Sequence, residues 1–477
     1  MAKDLRTYLE ELVAAHPEQL KVVRKRVDPD FEAAAIVDRL EDDDRYPGFP
    51  AVLFQQVGDA EVPLLINLHG TYERLALSIE SDVHGMVPEY ARREGQPVRS
   101  VEVEEADAPV QAVVWTGDEI DVGRLPLLRH QELDAGRYIT SAVTLSRDPE
   151  SGKLNAGIFR HQYQGPRQLG IQVNPAHHTG YILRQYRERG ERMEVALVIG
   201  HHPAVTMGAV SKLEGVGGEL DVAGGLLGEP VEMVRCKTLE LNVPARAEIV
   251  IEGFIDPDPE KTEIEGPFGE YPRYYTKVGP QPYIQVTAVT MRRDAIFVDV
   301  FNAASEHSIL GGLPRMGSIY RRVKEALPAV TAVNLPLSGM ARSHLYISMK
   351  KASEGEPKIA ACAAFAVDPL LKHIFVVDDD IDVFNEVDTL WCLATRFQAD
   401  RDLTVMPNFL GGQLNPITYG YRRDEKGAME TKLIFDCTKP VGVDFPTMCR
   451  VPPDVVARMN PADWLEDFVR ADARLTD

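Results

Sequence analysis

The sequence has few cysteines and no long apolar run. Its five cysteines among 477 residues are scattered, and no two of them form a CxxC pair. This argues against a zinc knuckle and against a disulfide framework. The longest apolar run, residues 359–367, is far shorter than the roughly 18 residues of a membrane span. The first residues lack the continuous apolar core of a signal peptide, so we expect a cytoplasmic protein without a membrane partner.

Positive charge is also scarce. The chain has 52 Lys and Arg against 73 Asp and Glu, a net charge of −21. Such a chain repels nucleic acid and anionic lipid, which disfavours phosphate-backbone binding as a main function. A composition of 44% hydrophobic and 26% charged residues is ordinary for a folded protein, and the length is typical of about three domains.

Several common catalytic motifs are absent. The sequence has no P-loop, no GxGxxG after a predicted strand, no GxSxG elbow and no HExxH pair. Nucleoside triphosphates, NAD, serine hydrolysis and a metalloprotease-type zinc site are therefore poorly supported.

The pattern of elements changes along the chain from mixed, to strand-rich, to alternating. The first hundred residues predict strands at 51–57 and 63–70 and a helix at 86–95, and 101–110 is a candidate domain boundary. The middle third predicts strands around turns at 148–153 and 164–167, then further elements that end in a hairpin. These are a helix at 179–190, a strand at 193–200, a Gly-rich loop at 215–230, a strand at 246–254, a loop at 263–275 and a hairpin at 282–302 that turns at Arg293–Asp294.

The last third alternates between helices and strands. Helices are predicted at 317–327, 358–367 and 386–397, and strands at 344–350 and 373–377. Such alternation is typical of a sheet with helices on its faces. A central β-rich region flanked by α/β regions is a natural place for an interdomain site.

Two carboxylates stand five residues apart in Glu265-Gly-Pro-Phe-Gly-Glu270. Proline fixes one backbone angle, and glycine allows turns that other residues resist. Such a loop can direct both carboxylates at one point, where one of them can stay protonated and act as an acid. Taken alone, the hexapeptide is more typical of a solvated acidic turn.

Asn155 and Arg160 stand five residues apart in an extended segment. If 154–163 is one strand, their side chains point to opposite faces unless Gly157 marks a bulge. Arginine is well suited to bind a carboxylate or phosphate. An isolated strand arginine is more often simply exposed.

Two histidine pairs, His177-His178 and His201-His202, and Glu219 are candidate metal ligands. Neighbours in an extended segment point opposite ways, so each pair offers at most one ligand to a site. Asn, His and Glu together form a hard donor set that suits Mn²⁺ or Mg²⁺ better than structural zinc. For each histidine alone, a surface or core position is the commoner alternative.

An acidic run at residues 378–382 follows a predicted strand. It lacks the glycine and the closing glutamate of an EF-hand. We therefore expect a solvated loop or a helix start there rather than a metal site.

These features occur together in an order that resembles the UbiD family of decarboxylases, which use prenylated FMN. The resemblance runs from about residue 50 to 450 and is densest in NAGIFRHQ, LGIQVNPAHH, GELDVAGGLLGEPVE and EGPFGEYPRYY. It implies a multidomain α/β (α+β) fold. The expected parts are an N-terminal α/β domain (1–108), a central split-β-barrel-like flavin domain (109–302) and a C-terminal α/β domain that mediates oligomerisation (303–477).

The resemblance also implies the site residues. The family's catalytic Glu-Arg-Glu network maps onto Glu265, Arg160 and Glu270. The Mn²⁺ (or Mg²⁺) ligands map onto Asn155, Glu219 and a histidine, for which His177 is the best match and His178 the alternative. The expected cofactor contacts are Asn155, Ile158, Phe159, Arg160, Gln172, Val173, Asn174, His177 and Glu219. A potassium ion is also compatible with this site.

The implied activity is the reversible non-oxidative decarboxylation of an aromatic, heteroaromatic or α,β-unsaturated acid. The cofactor takes up the negative charge left when CO₂ departs. Arg160 would orient the substrate carboxylate or keep Glu265 ionised, and a protonated Glu270 would deliver the replacing proton. The residue over the substrate corresponds to Leu310, which favours apolar phenazine-, pyrrole- or cinnamate-type acids over catechol-type acids.

The expected partners are the small-molecule acid, a flavin prenyltransferase that supplies the cofactor, and a second copy of the chain. A homodimer or higher homo-oligomer would use the apolar face of helix 386–397, unless that face packs on its own sheet. Two other functions remain open. One is a metal-dependent hydrolase that uses His177, His201 and the acidic loops, and the other is a non-catalytic flavin-binding subunit of a carboxylase complex.

Overall fold

A computed structural model describes residues 2–41, 43, 45, 48–175, 177–211, 218–418, 423–424 and 427–465. Residues 1–438 form one compact unit, and residues 439–477 form a second, small one. Within its described part, the second unit has one short α-helix, a 3-10 turn at Pro461–Asp463, and exposed apolar side chains such as Trp464.

Within the described ranges the α-helices are α1 (Leu5–Ala15), α2 (Glu32–Glu41), α3 (Tyr72–Leu77), α4 (Met86–Glu94), α5 (His178–Arg189), α6 (Pro203–Ala209), α7 (Glu219–Leu227), α8 (Ser305–Ile309), α9 (Gly312–Ala326), α10 (Glu356–Val367), α11 (Glu386–Thr395), α12 (Ala399–Asp402) and α13 (Pro453–Val456). Among these residues, no helix is both long and apolar enough to cross a membrane.

The strands of the same ranges are β1 (Leu20–Val23), β2 (Ala51–Phe54), β3 (Leu64–Ile66), β4 (Val101–Glu102), β5 (Val113–Thr116), β6 (Tyr138–Ile139), β7 (Val143–Arg147), β8 (Leu154–Ile158), β9 (His161–Gly165), β10 (Gln168–Ile171), β11 (Met193–Ile199), β12 (Glu232–Arg235), β13 (Asn242–Pro244), β14 (Ile249–Ile255), β15 (Thr262–Glu265), β16 (Gly279–Met291), β17 (Phe297–Asp299), β18 (Val330–Asn334), β19 (His344–Met349), β20 (His373–Asp378), β21 (Leu403–Leu410), β22 (Arg423–Asp424) and β23 (Gly427–Asp436).

The described strands form four sheets, and helices pack around them. The largest is a ten-stranded sheet in the order β6-β9-β10-β16-β14-β11-β7-β8, with β5 and β15 also paired to β16. A four-stranded sheet (β1-β2-β3-β17) and a six-stranded sheet (β18-β19-β20-β23-β21, with β22 on β23) belong to the same compact unit, as does a small sheet of β13, β12 and β4. The expected mixed α/β fold with several parts is confirmed.

The ten-stranded sheet has a hydrophobic core on each face. Along β11, Val195, Leu197 and Ile199 enter one core, whereas Ala196 and Val198 enter the other. Successive side chains of a strand point to opposite faces, so a strand covered on both sides has a continuous apolar run instead of an alternating one. This explains the sequence MEVALVI and fixes the sheet firmly between two layers.

Local pattern predicted two of the antiparallel hairpins of the ten-stranded sheet. β7 pairs antiparallel with β8 across the turn at 148–153, and β9 pairs with β10 across the turn at 164–167. In the last third, β19, β20 and β23 run parallel, and α10 packs against α9, β20 and β23. The predicted alternation of helices and strands is confirmed there.

The predicted hairpin at 282–302 is wrong. β16 pairs with β14, whereas β17 pairs in parallel with β3 of the four-stranded sheet. The chain crosses between the two sheets near the buried Glu248, whose carboxylate accepts a hydrogen bond from the Ile296 N–H (2.9 Å) and pairs with Arg6 (2.8 Å). Alternation of apolar residues shows that a segment is a strand but does not identify its partner.

The predicted Gly-rich loop at 215–230 is largely a helix. Residues 212–217 lie outside the described residues, and α7 begins at Glu219. Gly225 allows a close helix contact, because a Cβ there would lie 2.7 Å from the carbonyl oxygens of Arg93 and Gln96. The glycines of this segment therefore include ones that serve close packing and not loop flexibility.

Glu306 on α8 ties three chain segments together. Its buried carboxylate accepts hydrogen bonds from the backbone N–H groups of Asn67 (3.0 Å), His69 (3.0 Å) and Phe301 (2.7 Å). These bonds hold the end of β3 and the segment after β17 against the helix.

We predict that Glu306→Ala lowers the free energy of unfolding by about 3 kcal/mol or more, because it leaves three buried donors without an acceptor. Guanidinium denaturation followed by circular dichroism measures the change. Glu325→Ala is the matched control, because Glu325 is an exposed helical residue paired only at the surface with Arg322. A loss no larger than that of the control would show that the carboxylate is dispensable.

Candidate active site

Arg160, Glu265 and Glu270 form a buried ion-paired cluster. Nε and Nη2 of Arg160 donate to Oε1 and Oε2 of Glu265 at 2.8 and 2.7 Å, and Nη1 donates to Glu270 Oε1 at 2.7 Å. The relative exposure is 7% for Arg160, 1% for Glu265 and 9% for Glu270. The structure thus brings together all three residues of the predicted catalytic network.

Arg160 occupies the corner between β8 and β9. β8 pairs with β7 in unbroken register through Gly157, so no bulge is present and Arg160 lies beyond the strand end. Gly157 provides space, because a Cβ there would lie 2.9 Å from the ring of Phe159. The single strand considered over 154–163 is thus two strands, and the corner between them, rather than strand alternation, sets the position of Arg160 relative to Asn155.

Glu265 is the last residue of β15, and Glu270 lies in the loop that follows. The predicted loop at 263–275 thus begins after Glu265. Within the loop, the Gly269 N–H donates to the Asp134 carboxylate (2.9 Å) and the Phe268 N–H donates to Thr276 Oγ1 (3.2 Å). These bonds fix the backbone on both sides of Phe268 and so aim Glu270 at Arg160.

The carboxylates of the cluster stabilise the charged form of Arg160. Burial alone would lower the pKa of Arg160, but the hydrogen bonds and charge of Glu265, with the charge of Glu270, outweigh it and raise the pKa. Burial also raises the pKa of Tyr138, and the Glu265 charge adds to this rise. The Tyr138 hydroxyl stays protonated and donates to Glu265 Oε1 (3.4 Å).

His307 is a member of the site that the sequence did not reveal. Burial, followed by the charges of Arg342 and Arg160, lowers its pKa to about 3, so the imidazole is neutral at physiological pH. The Ala303 N–H donates to Nδ1 (3.3 Å), which places the imidazole proton on Nε2. Nε2 lies 3.8 Å from Glu270 Oε2. The only available signal was its position three residues before Leu310.

A cavity of about 250 Å³ adjoins this cluster. Six predicted cofactor-contacting residues line it, namely Ile158, Phe159, Arg160, Gln172, Asn174 and His177. Glu270 and Leu310 also line it. Val173, which stands between Gln172 and Asn174 in the sequence, is buried and is not among the lining residues. Asn302 contributes a buried Oδ1 that has no hydrogen-bond partner among the described residues. Such an unpaired acceptor fits a polar ligand with donor groups, as a flavin ring has.

Glu219 lies against β8, the edge strand of the ten-stranded sheet that carries Asn155. The carboxylate of Glu219, at the start of α7, accepts a hydrogen bond from the backbone N–H of Ala156. Burial raises the pKa of Glu219 even so, and a nearby cation would offset this cost. The amide and carboxylate oxygens of this pair suit a hard divalent ion.

The two candidate histidines of the predicted metal set have different surroundings. His177 lines the cavity, whereas the charge of His178 acts on the Glu219 carboxyl. Among the described residues, no three His, Cys, Asp or Glu side chains are grouped to hold a metal. A metal here would therefore depend on Asn155 and Glu219 with one of the two imidazoles.

The histidines of the hydrolase alternative are separated. His201 and His202 border a different, small cavity of about 30 Å³, and burial lowers their pKa values to about 4 and about 3. His202 caps α6 by accepting the Ala204 N–H (3.2 Å). His201 and His177 thus do not line one site, and this geometry does not support the hydrolase.

The acidic run at 378–382 pairs with an arginine. Nη1 of Arg396 donates to Asp378 Oδ2 (2.6 Å) and to Asp380 Oδ1 (2.9 Å). The expectation of a solvated loop is wrong for Asp378, which is the buried last residue of β20. These carboxylates stabilise the region where α11 ends.

Comparison with known proteins gives a consistent result. Three family models of 3-octaprenyl-4-hydroxybenzoate carboxy-lyase match the chain, the N-terminal domain at residues 14–94, the Rift-related domain at 101–304 and the C-terminal domain at 308–437. Anhydromevalonate phosphate decarboxylase of Methanothermobacter thermautotrophicus is 33% identical over 428 residues, which cover 89% of this chain and 95% of the relative.

Solved structures of similar proteins cover nearly the whole chain. The UbiD-class enzyme HmfF from Pelotomaculum thermopropionicum, in complex with FMN, is 36% identical with a TM-score of 0.88, covering 97% of this chain and 100% of that one. Apo 3,4-dihydroxybenzoic acid decarboxylase of Klebsiella pneumoniae is 28% identical with a TM-score of 0.87 over the same shares. With family models over most of its length, the chain belongs to the UbiD family of carboxy-lyases.

Proposed function

We propose that the protein catalyses the reversible non-oxidative decarboxylation of an aromatic, heteroaromatic or α,β-unsaturated carboxylic acid with prenylated FMN. The observation that carries the proposal is the buried cluster of Arg160, Glu265 and Glu270, of which Arg160 and Glu270 line the cavity. Burying charged groups is costly, and losing one member of the cluster would leave its partners unpaired. A subunit without catalytic function would have no need to keep such a cluster.

Prenylated FMN, when bound, would supply an electron sink for the charge left by departing CO₂. The residues that would hold the flavin are Ile158, Phe159, Gln172, Val173 and Asn174. Those that would hold Mn²⁺ (or Mg²⁺) near its phosphate are Asn155 and Glu219, with His177 or His178. A potassium ion completes the proposed cofactor set, and a flavin prenyltransferase would supply the flavin.

Among the described residues, one N–H of Arg160 has no acceptor and is available to a substrate. A guanidinium has five N–H donors, and the two of Nη2 go to Glu265 and Thr276, that of Nε to Glu265 and one of Nη1 to Glu270. The remaining Nη1 N–H would orient the acid, while the bidentate pairing holds Glu265 ionised.

Glu270 is the proposed proton donor. One arginine beside two carboxylates leaves an excess negative charge, which a proton on Glu270 would balance. The neutral His307 presents its Nε2–H towards Glu270 Oε2 at 3.8 Å, so it would stabilise the carboxylate formed once the proton has moved to the product carbon.

The walls of the cavity bear on the substrate class. Leu310 gives an apolar contact, which favours phenazine-, pyrrole- or cinnamate-type acids. His307, Asn302 and Gln413 add polar groups to the same cavity. Relatives named for anhydromevalonate phosphate and for 3,4-dihydroxybenzoic acid act on different acids. The apolar preference therefore rests on Leu310 and is tested there.

We further propose three domains, at 1–108, 109–302 and 303–477, and a cytoplasmic homodimer or higher homo-oligomer. The three family-model ranges support this division. For the oligomer, Val387, Leu390 and Trp391 of α11 are exposed at 75%, 42% and 41%, which leaves apolar surface on this helix for a second copy of the chain. A neighbour described as an evolved dimeric form of HmfF is compatible with this proposal.

We predict that Glu270→Gln lowers the decarboxylation rate at least about a hundredfold, because an amide cannot deliver the proton. The rate is measured by product formation at equal flavin occupancy, with prenylated FMN supplied by coexpressed flavin prenyltransferase. Glu263→Gln is the control, because Glu263 is exposed on the same strand as Glu265. Turnover of flavin-loaded Glu270→Gln at the level of the control would rule out the assignment.

We predict that Glu219→Ala reduces flavin and manganese retention more than thermal stability, because the metal loses a ligand and the phosphate its counter-charge. Absorbance and metal analysis after gel filtration give the two occupancies. Glu188→Ala, at an exposed position of α5, is the control. Equal occupancies in wild type, variant and control would show that Glu219 does not hold the cofactor.

We predict that Leu310→His shifts kcat/KM towards hydroxylated acids and away from fused-ring acids, because it replaces an apolar contact by a polar group that needs a partner. A hydroxybenzoate and a fused-ring acid are compared at equal flavin occupancy. Leu337→His, at a residue 46% exposed, is the control. If the ratio of the two kcat/KM values stays constant, Leu310 does not select the substrate.

A further inference from the structure

A second cavity, of about 220 Å³, shares no lining residue with the cavity described above. The Tyr271 ring packs edge-on against the His307 ring, with centroids 6.2 Å apart, and His307 lines the first cavity. Tyr271 and Tyr274 form one wall of the second cavity, and residues at the start of β19 and β20 form another. The second cavity thus lies between the loop that carries Glu270 and the six-stranded sheet.

Lys372 gives this cavity an uncompensated positive charge. It lies just before β20, is half-buried and lines the cavity. Its backbone N–H bonds to Ser343, but among the described residues its ammonium group makes no hydrogen bond and no ion pair. A half-buried ammonium without a counter-charge favours an anionic ligand.

Two imidazoles lie beside Lys372. His344 and His373 line the cavity with ring centroids 5.2 Å apart. Burial lowers the pKa of both, that of His373 to about 4. At His344 the charge of Glu386 opposes this shift, whereas the charge of Lys372 acts in the same direction as burial at both rings. They are uncharged at neutral pH and can offer N–H groups without adding charge.

Glu430 also lines the cavity, and its charge is already offset. Its Oε2 accepts a hydrogen bond from Asn415 Nδ2 (2.8 Å), and its Oε1 lies 3.6 Å from the ammonium of the buried Lys432. Lys372 therefore remains the dominant charge of the cavity. Tyr271, Tyr274 and Leu370 give the cavity apolar surface, and Ser343 and Asn415 also line it.

We propose that this cavity binds a small organic anion, a carboxylate or a phosphate monoester with an aromatic or aliphatic body, at a site separate from the reacting acid. Lys372 pairs with the anionic group, His344 and His373 donate to it, and Tyr271 and Leu370 contact the body. The bound anion joins the loop that carries Glu270 to the six-stranded sheet. The proposal does not depend on decarboxylase activity.

Isothermal titration of the flavin-loaded protein with phenyl phosphate tests the site, and benzoate tests the carboxylate source. We expect Lys372→Met to weaken binding by about tenfold or more, the effect of one lost charge-assisted hydrogen bond. Lys358→Met, at an exposed lysine of α10, should bind like wild type. Phenol has the aromatic body without the anionic group, and inorganic phosphate has the anionic group without the body. Both should therefore bind more weakly than phenyl phosphate.

The result that overturns the proposal is equal affinity in wild type and Lys372→Met, since binding at the first cavity would not depend on Lys372. No binding of either probe at millimolar concentration overturns it as well. If circular dichroism shows that Lys372→Met does not fold, Lys372→Gln replaces it with the same expected loss. Repeating the titration on flavin-free protein should give the same affinity, which separates this site from the proposed catalytic function.

Discussion

The guanidinium of Arg160 lies out of water only because two carboxylates meet it there. An unpaired ion in this position would cost several kcal/mol, so the corner between β8 and β9, the end of β15 and the loop to Glu270 are constrained together. A shift of any one of them leaves a buried charge without its partner. The geometry proposed for proton transfer is therefore also a condition for folding this part of the chain.

The ten-stranded sheet supplies the rigid frame for that cluster. Because β11 and β14 send alternate side chains into two cores, the sheet is fixed from both faces. Phe159 follows a strand of this sheet, whereas Asn302 and Gln413 follow strands of the four-stranded and six-stranded sheets, and all three line one cavity. The buried Glu306 holds α8 in place, and with it His307 on the cavity wall.

The net charge of −21 gives no indication of the local charges at the two cavities. Arg160 and Lys372 each present a cationic group to a partly enclosed cavity, where its effect is larger than at the surface. In the first cavity two carboxylates pair with Arg160, whereas the carboxylate that lines the second cavity, Glu430, pairs with Lys432 and not with Lys372. The first arrangement suits chemistry on an acid, and the second suits binding of an anion.

The sequence by itself determined the Glu265–Glu270 pair, the β7–β8 and β9–β10 hairpins and the helix-strand alternation of the last third. These depend on turn residues and periodicity within about ten neighbours, where local preferences decide the structure. Only the tertiary structure decided that β17 joins β3, that Glu219 begins a helix, that His201 lies apart from His177 and that His307 faces Glu270. Each of these depends on contacts between distant segments, whose energy comes from burial and ion pairing and is not encoded in any local pattern.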